Sequence, residues 1–371
     1  MRTLRRGEMR LIRRGKNLAA GPALGLHLVV PGLLEPLPQR LWAENRWPRT
    51  ASLERLLARS NCTDLSARPT DELLFELCGV PIPSGADTPS GALCRLADGF
   101  PADDACWMHA DPVHLKPDRD RVLLFDARHL ELTRGQAEQL AQQVEDFYRH
   151  DGWRLELAAP ERWYLRLPST PALRTWPLDA AVGRSLEPFL PLGPEAGPWR
   201  TRLNEVQMLL HHSEVNRQRE ASGRPAINGL WFWGAGRLPE IPAETPLGAI
   251  YADQLLVKGL ALRLGIGAHP QPADLDQLLD EQPEGEVLVL LDDLHAPLLD
   301  ANATAWCDAL DTLERVWFSP LVRALRDPGL GLYLYLGRGS RYACTSRLLR
   351  RFWRRPRPLA SYFETGGESS R

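Results

Sequence analysis

The chain has 371 residues, 44% hydrophobic and 25% charged, which is enough to bury one large domain with an insertion or two domains. The net charge of -2 creates no overall field that would attract nucleic acid or an anionic membrane, and no apolar run reaches the ~20 residues that span a bilayer. Six cysteines without a CxxC pair are typical of reduced thiols, so we expect a cytoplasmic protein in which they are small core residues.

A basic segment opens the chain. Residues 1–25 hold one acidic residue, Glu8, and no apolar core of the kind that a secretory signal needs. The basic side chains are Arg2, Arg5, Arg6, Arg10, Arg13, Arg14 and Lys16. We predict a disordered basic extension, with a nucleic-acid-binding arm as the alternative.

The first core elements follow this segment. Residues 26–30 (LHLVV) form an apolar run that a Pro-Gly pair ends, which predicts the opening strand of a parallel sheet. The end of this strand is a natural active-site edge. Amphipathic helices are predicted over 52–59 and 70–78. Thr70 is predicted as the N-cap of the second helix, a role that explains this residue in structural terms.

A small α+β domain is predicted within residues 99–169. Short β runs at 122–125, 153–158 and 163–167 surround a helix that opens with a capping box at Thr133. Pro-rich segments follow and are consistent with a linker that returns to the main sheet. We therefore interpret this range as a lid-like insertion.

The remaining chain has the pattern of an α/β protein. Apolar runs at 26–30, 230–233, 287–291 and 330–336 suit buried strands and alternate with helical segments. We predict that these four runs share one doubly wound, mostly parallel sheet. The predicted boundaries are a core at 26–98 and 170–360, the insertion at 99–169 and a disordered tail at 361–371.

The stretch 228–264 combines an aromatic strand, a glycine-rich turn and a helix. The apolar run stops at Gly234 and Gly236, the turn carries Arg237, and Lys258 lies on the helix that follows. A strand that delivers such a turn to a helix is typical of a phosphate site in an α/β sheet. We therefore predict that these four residues bind a ligand, and a tight turn with a solvated arginine is the equally open alternative.

A possible metal site follows the strand at 287–291. This strand ends in Asp292, Asp293 and His295, and carboxylates beside a histidine suit a hydrolytic metal. The sequence contains no GxSxG, HExxH or Walker A motif. The common nucleophile, zinc-protease and nucleotide-hydrolase classes therefore lack their best signal.

The C-terminal tail concentrates arginines around Phe352 and Trp353. They are Arg347, Arg350, Arg351, Arg354, Arg355 and Arg357. Arginine beside aromatic rings suits nucleic-acid stacking, which would make the protein a nucleic-acid-associated regulator. A solvated helix face explains the same residues more simply, so nucleic acid is not expected to be a partner.

These motifs together resemble the alkaline-phosphatase superfamily and, within it, the archaeal-type cofactor-independent phosphoglycerate mutases. WFWGAGRLP followed by LLVKGLALRLGI is similar to that family's strand, glycine-rich turn and Lys-Gly helix, and EVNRQREASGRPAIN is similar to its run of Asn and Arg. The resemblance extends from Leu26 to about Leu359 and is closest to a bacterial branch of RpfE-type regulatory proteins. It adds Asn216, Arg217 and Arg338 to the predicted ligand-binding residues.

The resemblance also implies how the site differs from an active mutase. The family's first strand ends in a metal-binding Asp where this chain has Pro31, and its nucleophilic Ser-Asp falls on Thr70 and Asp71. We therefore expect a degenerate site without metal or cofactor, in a protein that binds a phosphorylated small molecule or acts as a regulatory module. The alternative is an active metal-dependent mutase or phosphatase, with Thr70 as nucleophile and Asp293 and His295 holding one metal.

Overall fold

The computed structural model describes residues 23–36, 47–65, 68–82, 85–119, 121–127, 130–242, 244–337 and 339–364. The predicted basic extension lies outside the described residues except for 23–25, and the predicted tail lies outside them except for 361–364. These last four residues belong to a helix.

The described strands are β1 (Leu24–Val29), β2 (Asn61–Asp64), β3 (Cys106–Asp118), β4 (Arg121–Asp126), β5 (Arg154–Ala159), β6 (Arg162–Leu167), β7 (Gly229–Gly236), β8 (Ala249–Tyr251), β9 (Gly267–His269), β10 (Gly285–Leu290), β11 (Leu330–Tyr335) and β12 (Ser340–Thr345).

The described α-helices are α1 (Ala51–Arg59), α2 (Thr70–Leu77), α3 (Ser90–Ala97), α4 (Arg134–Phe147), α5 (Leu178–Ala181), α6 (Ala196–His211), α7 (Glu214–Ala221), α8 (Leu255–Leu264), α9 (Leu275–Asp280), α10 (His295–Leu299), α11 (Ala303–Leu313), α12 (Ser319–Ala324), α13 (Ser346–Leu349) and α14 (Ala360–Glu364). A π-helical turn at Glu314–Phe318 joins α11 to α12. Within the described chain, no helix has the length and apolar character needed to cross a bilayer.

A seven-stranded sheet forms the centre of the molecule, in the order β2-β12-β11-β1-β10-β8-β9. The pairings from β11 to β9 are parallel, and β12 and β2 add antiparallel strands at one edge. Helices α1 and α11 cover one face through Leu53 and Trp306, while α2 and α8 cover the other through Leu74 and Leu260. The prediction of an α/β protein with a doubly wound, mostly parallel sheet is confirmed.

The aromatic run 230–233 does not lie in this sheet. It belongs to β7, which pairs with β3 in a second, antiparallel sheet that also contains β4, β5 and β6. The prediction that four runs share one sheet is therefore wrong for this run and right for 26–30, 287–291 and 330–336. Because α6 covers one face of the run through Trp199, and Trp231 on the other face packs against Ala181 and its neighbours, the run is as apolar as a strand of a parallel sheet. The antiparallel sheet consequently extends beyond the predicted insertion.

One helix of the antiparallel layer begins as predicted. The hydroxyl of Thr133 accepts a hydrogen bond from the amide of Gln136, whose side chain accepts one from the amide of Thr133. This capping box opens α4, which buries Leu140 and Val144 against the sheet.

The glycine-rich segment is part of β7 and not a loop. Gly234 has a φ of +69°, and a Cβ at this position would lie 1.9 Å from Ser90 Oγ. A Cβ on Gly236 would lie 2.6 Å from Pro89 Cβ. The glycines therefore allow the N-terminus of α3 to approach the strand closely. The predicted strand-turn-helix unit is wrong, because β8 lies between β7 and α8.

Two predictions of side-chain environment also need correction. All six cysteines are free, but Cys62 is exposed on β2 and is not a core residue. The tail is not a helix face, because α13 ends at Leu349 and residues 351–358 are not helical. Pro356 and Pro358 lack the amide protons that a continuing helix would need.

We predict that Gly259→Ala destabilises the protein by about 1–3 kcal/mol, the range for overpacking a tight contact. Gly259 lies where α8 crosses α3, and a Cβ there would lie 2.2 Å from the carbonyl oxygen of Leu93. The measurement is the free energy of unfolding in denaturant.

The matched control is Gly135→Ala on α4, where an added Cβ meets open space. Alanine has the higher helix propensity, so this change is expected to be neutral or to stabilise by up to about 1 kcal/mol. Equal stability of the two variants would contradict the helix contact described above.

Candidate functional site

A cavity of about 290 Å³, here called the sheet-edge cleft, opens at the carboxyl edge of the parallel sheet. Strands β1 and β11 end in its wall, and the N-terminus of α2 lies beside them. Ligand sites of open α/β sheets form at this edge. The ionisable and hydroxyl side chains of the wall include Glu35, Arg68, Thr70, Asp71, Asp179, Arg184 and His295.

Thr70 and Asp71 bring a hydroxyl and a carboxyl to the cleft. The N-cap of α2 is Pro69, and Thr70 is the first helical residue. The prediction that Thr70 is the N-cap is therefore wrong. Burial raises the pKa of Asp71 to about 7, the Asp179 carboxylate adds to this rise, and His295 opposes it. Near neutral pH, the Asp71 carboxyl can therefore both donate and accept a hydrogen bond.

His295 and Asp179 form a pair across the cleft. His295 Nε2 lies 2.8 Å from Asp179 Oδ2. Burial lowers the pKa of His295, but the hydrogen bond and charge of Asp179, together with Glu35 and Asp292, raise it above its ordinary value. Nδ1 is buried and has no hydrogen-bond partner among the described residues. The imidazole therefore favours its charged form and keeps one free nitrogen.

Two arginines add positive charge to the cleft wall. Arg68 pairs with Glu76 and donates to the carbonyl of Leu65 at 2.5 Å. Arg184 is exposed, and its guanidinium lies 5.9 Å from the ring centre of Phe189. The first amides of α2 lack partners within their own helix and add partial positive charge.

Comparison with known proteins gives short sequence matches. No family model matches the chain. The 2,3-bisphosphoglycerate-independent phosphoglycerate mutase of Methanothrix thermoacetophila is 30% identical over 88 residues. The corresponding protein of Methanosarcina barkeri is 27% identical over 89 residues. Each match covers 23% of this chain and only 22% of the relative.

Solved structures match over a much larger part of the chain. The cofactor-independent phosphoglycerate mutase of Thermoplasma acidophilum aligns over 92% of this chain and 94% of its own, with a TM-score of 0.50 and 18% identity. The fold is phosphoglycerate-mutase-like. The PH0037 protein of Pyrococcus horikoshii aligns over 87% of each chain, with a TM-score of 0.52 and 12% identity. At these identities the likeness establishes the fold alone.

Within this mutase-like fold, the predicted metal residues do not come together. Pro31 and His295 line the cleft, but Asp293 is exposed and accepts a hydrogen bond of 2.9 Å from Gln271. Across the described part of the chain, no three residues of the types His, Cys, Asp and Glu are grouped to hold a metal ion. Arg338 lies outside the described residues.

The predicted ligand residues before β7 have structural contacts. The side-chain amide of Asn216 donates to the carbonyls of Leu210 and Ile227 at 2.8 Å and accepts from the Ile227 amide, and only 2% of Asn216 is exposed. Arg217 is exposed and pairs with Glu214 in the same helix. Neither residue lines the sheet-edge cleft.

The predicted residues of β7 and α8 also lie away from the cleft wall. Gly234 and Gly236 contact the start of α3, as described above. Arg237 is exposed and donates to the backbone carbonyl of Asp104, and Lys258 is half-buried on α8. The structure therefore brings Thr70 and His295 to one cleft and leaves the glycine-rich group elsewhere.

Sequence reasoning missed Asp179, Arg68 and Arg184 as site residues. They lie in irregular connections or short helices, where neither a strand nor a helix period marks them. The only sequence signal near Asp179 is the preceding Trp176-Pro177 pair, which indicates a fixed turn.

We predict that Asp71→Asn stabilises the protein by about 1–2 kcal/mol at pH 8. Folding raises the pKa of this carboxyl from 3.8 to about 7, so the folded state binds the proton more tightly and the wild type loses stability as the pH rises between these values. The variant stays neutral, so its advantage should vanish below about pH 4. Denaturant unfolding across this pH range measures the difference.

The control is Asp308→Asn on the exposed face of α11, which removes the same charge. It should show no comparable gain at pH 8. If the unfolding free energies of Asp71→Asn and of this control change in parallel with pH, the cleft does not raise the pKa of the Asp71 carboxyl.

Proposed function

We propose that this protein binds a phosphorylated small molecule in the sheet-edge cleft and acts as a regulatory module of the RpfE type. The observation that carries the proposal is the convergence of Arg68, Arg184 and the N-terminus of α2 on one cavity. A guanidinium group can donate two parallel hydrogen bonds to the oxygens of one phosphate, and a helix N-terminus attracts anions even where no metal ion is present. A cavity of about 290 Å³ has room for a small metabolite.

The acidic residues of the cleft are compatible with an anionic ligand. Asp179 is paired with His295, whose raised pKa favours the imidazolium. Asp71 is partly protonated near neutral pH, because burial raises its pKa to about 7. These two carboxyl groups are therefore partly neutralised, but Arg68 is paired with Glu76, so Arg184 is the arginine better placed to meet the ligand. The hydroxyl of Thr70 supplies a further hydrogen bond to a phosphate oxygen.

A dinuclear metal centre does not fit the same wall, because its carboxyl and imidazole groups are not grouped, among the described residues, in a way that could hold an ion. Two-metal phosphoryl-transfer sites need several carboxylate or imidazole ligands around the ions. The resemblance to the mutases implies a ligand at the end of β1, where the side chain of Pro31 offers no ligand atom. Asp293, the other carboxylate expected from the sequence, is turned toward Gln271.

An active metal-dependent mutase or phosphatase is the second candidate. One observation favours it, since Thr70 and His295 line the same cleft. In that case Thr70 would be the nucleophile and His295 would hold a metal together with Asp293.

We predict that 3-phosphoglycerate binds the wild type and that Arg184→Ala weakens this binding about tenfold or more, the loss expected for a charge-assisted hydrogen bond. Isothermal titration measures the affinity, and thermal melts confirm that the variant is folded. Since Arg184 is exposed, its removal should leave the fold intact.

Arg237→Ala is the matched variant, because Arg237 is also exposed but does not line the cleft. The sequence pattern places the ligand at Arg237, whereas the cleft proposal expects this variant to bind as the wild type does. Binding lost in Arg237→Ala and kept in Arg184→Ala would move the ligand to the end of β7. The absence of binding in the wild type would refute the proposed function.

We also predict that protein purified without chelator holds no stoichiometric manganese, zinc or iron and shows no metal-dependent phosphatase activity. A buried divalent ion needs several ligands grouped around it, because an uncompensated charge in a low-dielectric cleft costs several kcal/mol, and the described residues contain no such group. Elemental analysis and phosphate release with and without manganese test this expectation. One or two equivalents of metal, lost in His295→Ala, would favour the mutase alternative.

A further inference from the structure

A second concave surface, here called the arginine groove, lies at the edge strand β2. Its volume is about 1010 Å³, and one wall is the tail that follows α13. The lining includes Asn61 and Tyr342 from the sheet and Trp353, Arg354, Arg355 and Arg357 from the tail, with no aspartate or glutamate among the lining residues. In a chain with a net charge of -2, this groove is a local concentration of positive charge.

The tail presents aromatic rings to solvent. Phe352 is 78% exposed and Trp353 is 66% exposed, and their ring centres are 5.3 Å apart at an angle of 82°. Two adjacent, exposed aromatic rings are unusual on a protein surface, because tryptophan and phenylalanine side chains normally bury large apolar areas. Their exposed faces are available for stacking.

The tail is nevertheless attached to the body of the protein. Arg351 donates to the side-chain oxygen of Asn61 at 2.8 Å, Arg354 donates to the carbonyl of Ser60 at 2.9 Å, and the amide of Leu359 donates to Glu54 at 2.9 Å. Within the described part of the chain, no carboxylate forms an ion pair with Arg355 or Arg357. The groove therefore has fixed walls and two guanidinium groups without a counter-charge.

We propose that the arginine groove binds single-stranded nucleic acid. Proteins that bind single strands combine a positive groove along the backbone with aromatic rings on which bases stack. The arginines of residues 354–357 would contact phosphates, and Trp353 would stack on a base. The expectation from sequence that nucleic acid is not a partner depended on a solvated helix face, and the tail has no helix at these residues.

An acidic peptide that extends the sheet at β2 fits the groove less well. Strand addition requires free backbone groups along the edge strand. Arg354 already occupies the carbonyl of Ser60 at the start of β2, and β2 is four residues long. Such a peptide would also make no use of the exposed faces of Phe352 and Trp353.

The test is fluorescence anisotropy of the full chain with labelled oligo-dT of about 20 nucleotides, long enough to fill a typical single-strand site. The double variant Arg355→Ala, Arg357→Ala is expected to bind about tenfold more weakly. The salt slope, which is the slope of the logarithm of the binding constant against the logarithm of the salt concentration, should fall in magnitude by about 0.7 for each lost phosphate contact. Trp353→Ala is expected to lose about tenfold in affinity with an unchanged salt slope. Both variants leave the bonds of Arg351 and Arg354 in place.

The control is the double variant Arg134→Ala, Arg149→Ala, which removes the same charge from exposed positions on α4 and the turn after it. It should bind within about twofold of the wild type, because a distant surface charge changes only the overall field. An equal loss in this control, or no binding by the wild type at low salt, overturns the proposal. Displacement of the oligonucleotide by poly-glutamate as efficiently as by unlabelled oligo-dT also overturns it and assigns the groove to an acidic protein.

Discussion

The hydrogen bond from the amide of Gly234 to the hydroxyl of Thr175, 3.0 Å long, connects strand β7 to the segment that enters the wall of the sheet-edge cleft at Trp176. It requires the positive φ of Gly234 and its close approach to Ser90, which leaves no room for a side chain. Thr175 is fixed in turn by two hydrogen bonds to Asp87. Asp179 follows four residues later, so the bond from Gly234 helps to hold the segment that carries its carboxylate.

The cleft therefore forms between the parallel sheet and segments held by the antiparallel sheet. One wall depends on the antiparallel sheet through Asp179, and the other follows the parallel sheet, whose strand β10 leads into His295. The hydrogen bond between Asp179 and His295 crosses the opening. Both groups lie close enough to Asp71 to change the pKa of its carboxyl. When Asp71 loses its proton above about pH 7, the wall gains negative charge, which would weaken the binding of the proposed anionic ligand in alkaline solution.

The fold class was accessible from the sequence because most of its strands carry a clear signal. Runs such as 287–291 are apolar throughout, and only a strand covered on both faces needs that pattern. The same signal could not assign 230–233 to a sheet, because burial on both faces does not reveal which strand is the neighbour. Helix α4 was located closely, since its capping box at Thr133 is a local interaction.

The candidate site was accessible only in part. His295 was predicted from its place after the strand at 287–291 and Thr70 was predicted as a nucleophile from resemblance to a family, and the structure places both at one cleft. Asp179 and Arg184 come from irregular segments whose positions depend on tertiary contacts, so no local pattern identifies them. Gly234 attracted a functional interpretation because glycine is common in phosphate loops, but close packing of a helix requires glycine just as strictly.

The contacts of the tail with β2 have a consequence for how copies of this protein behave toward one another. An edge strand offers unpaired amides and carbonyls, and such edges are templates for association between molecules. Here Arg354 covers the first carbonyl of that edge, and Arg351 bonds the side chain of Asn61. Several guanidinium groups crowd the approach, so two such edges repel each other before their backbones can pair. The tail therefore disfavours edge-to-edge pairing of two copies through β2.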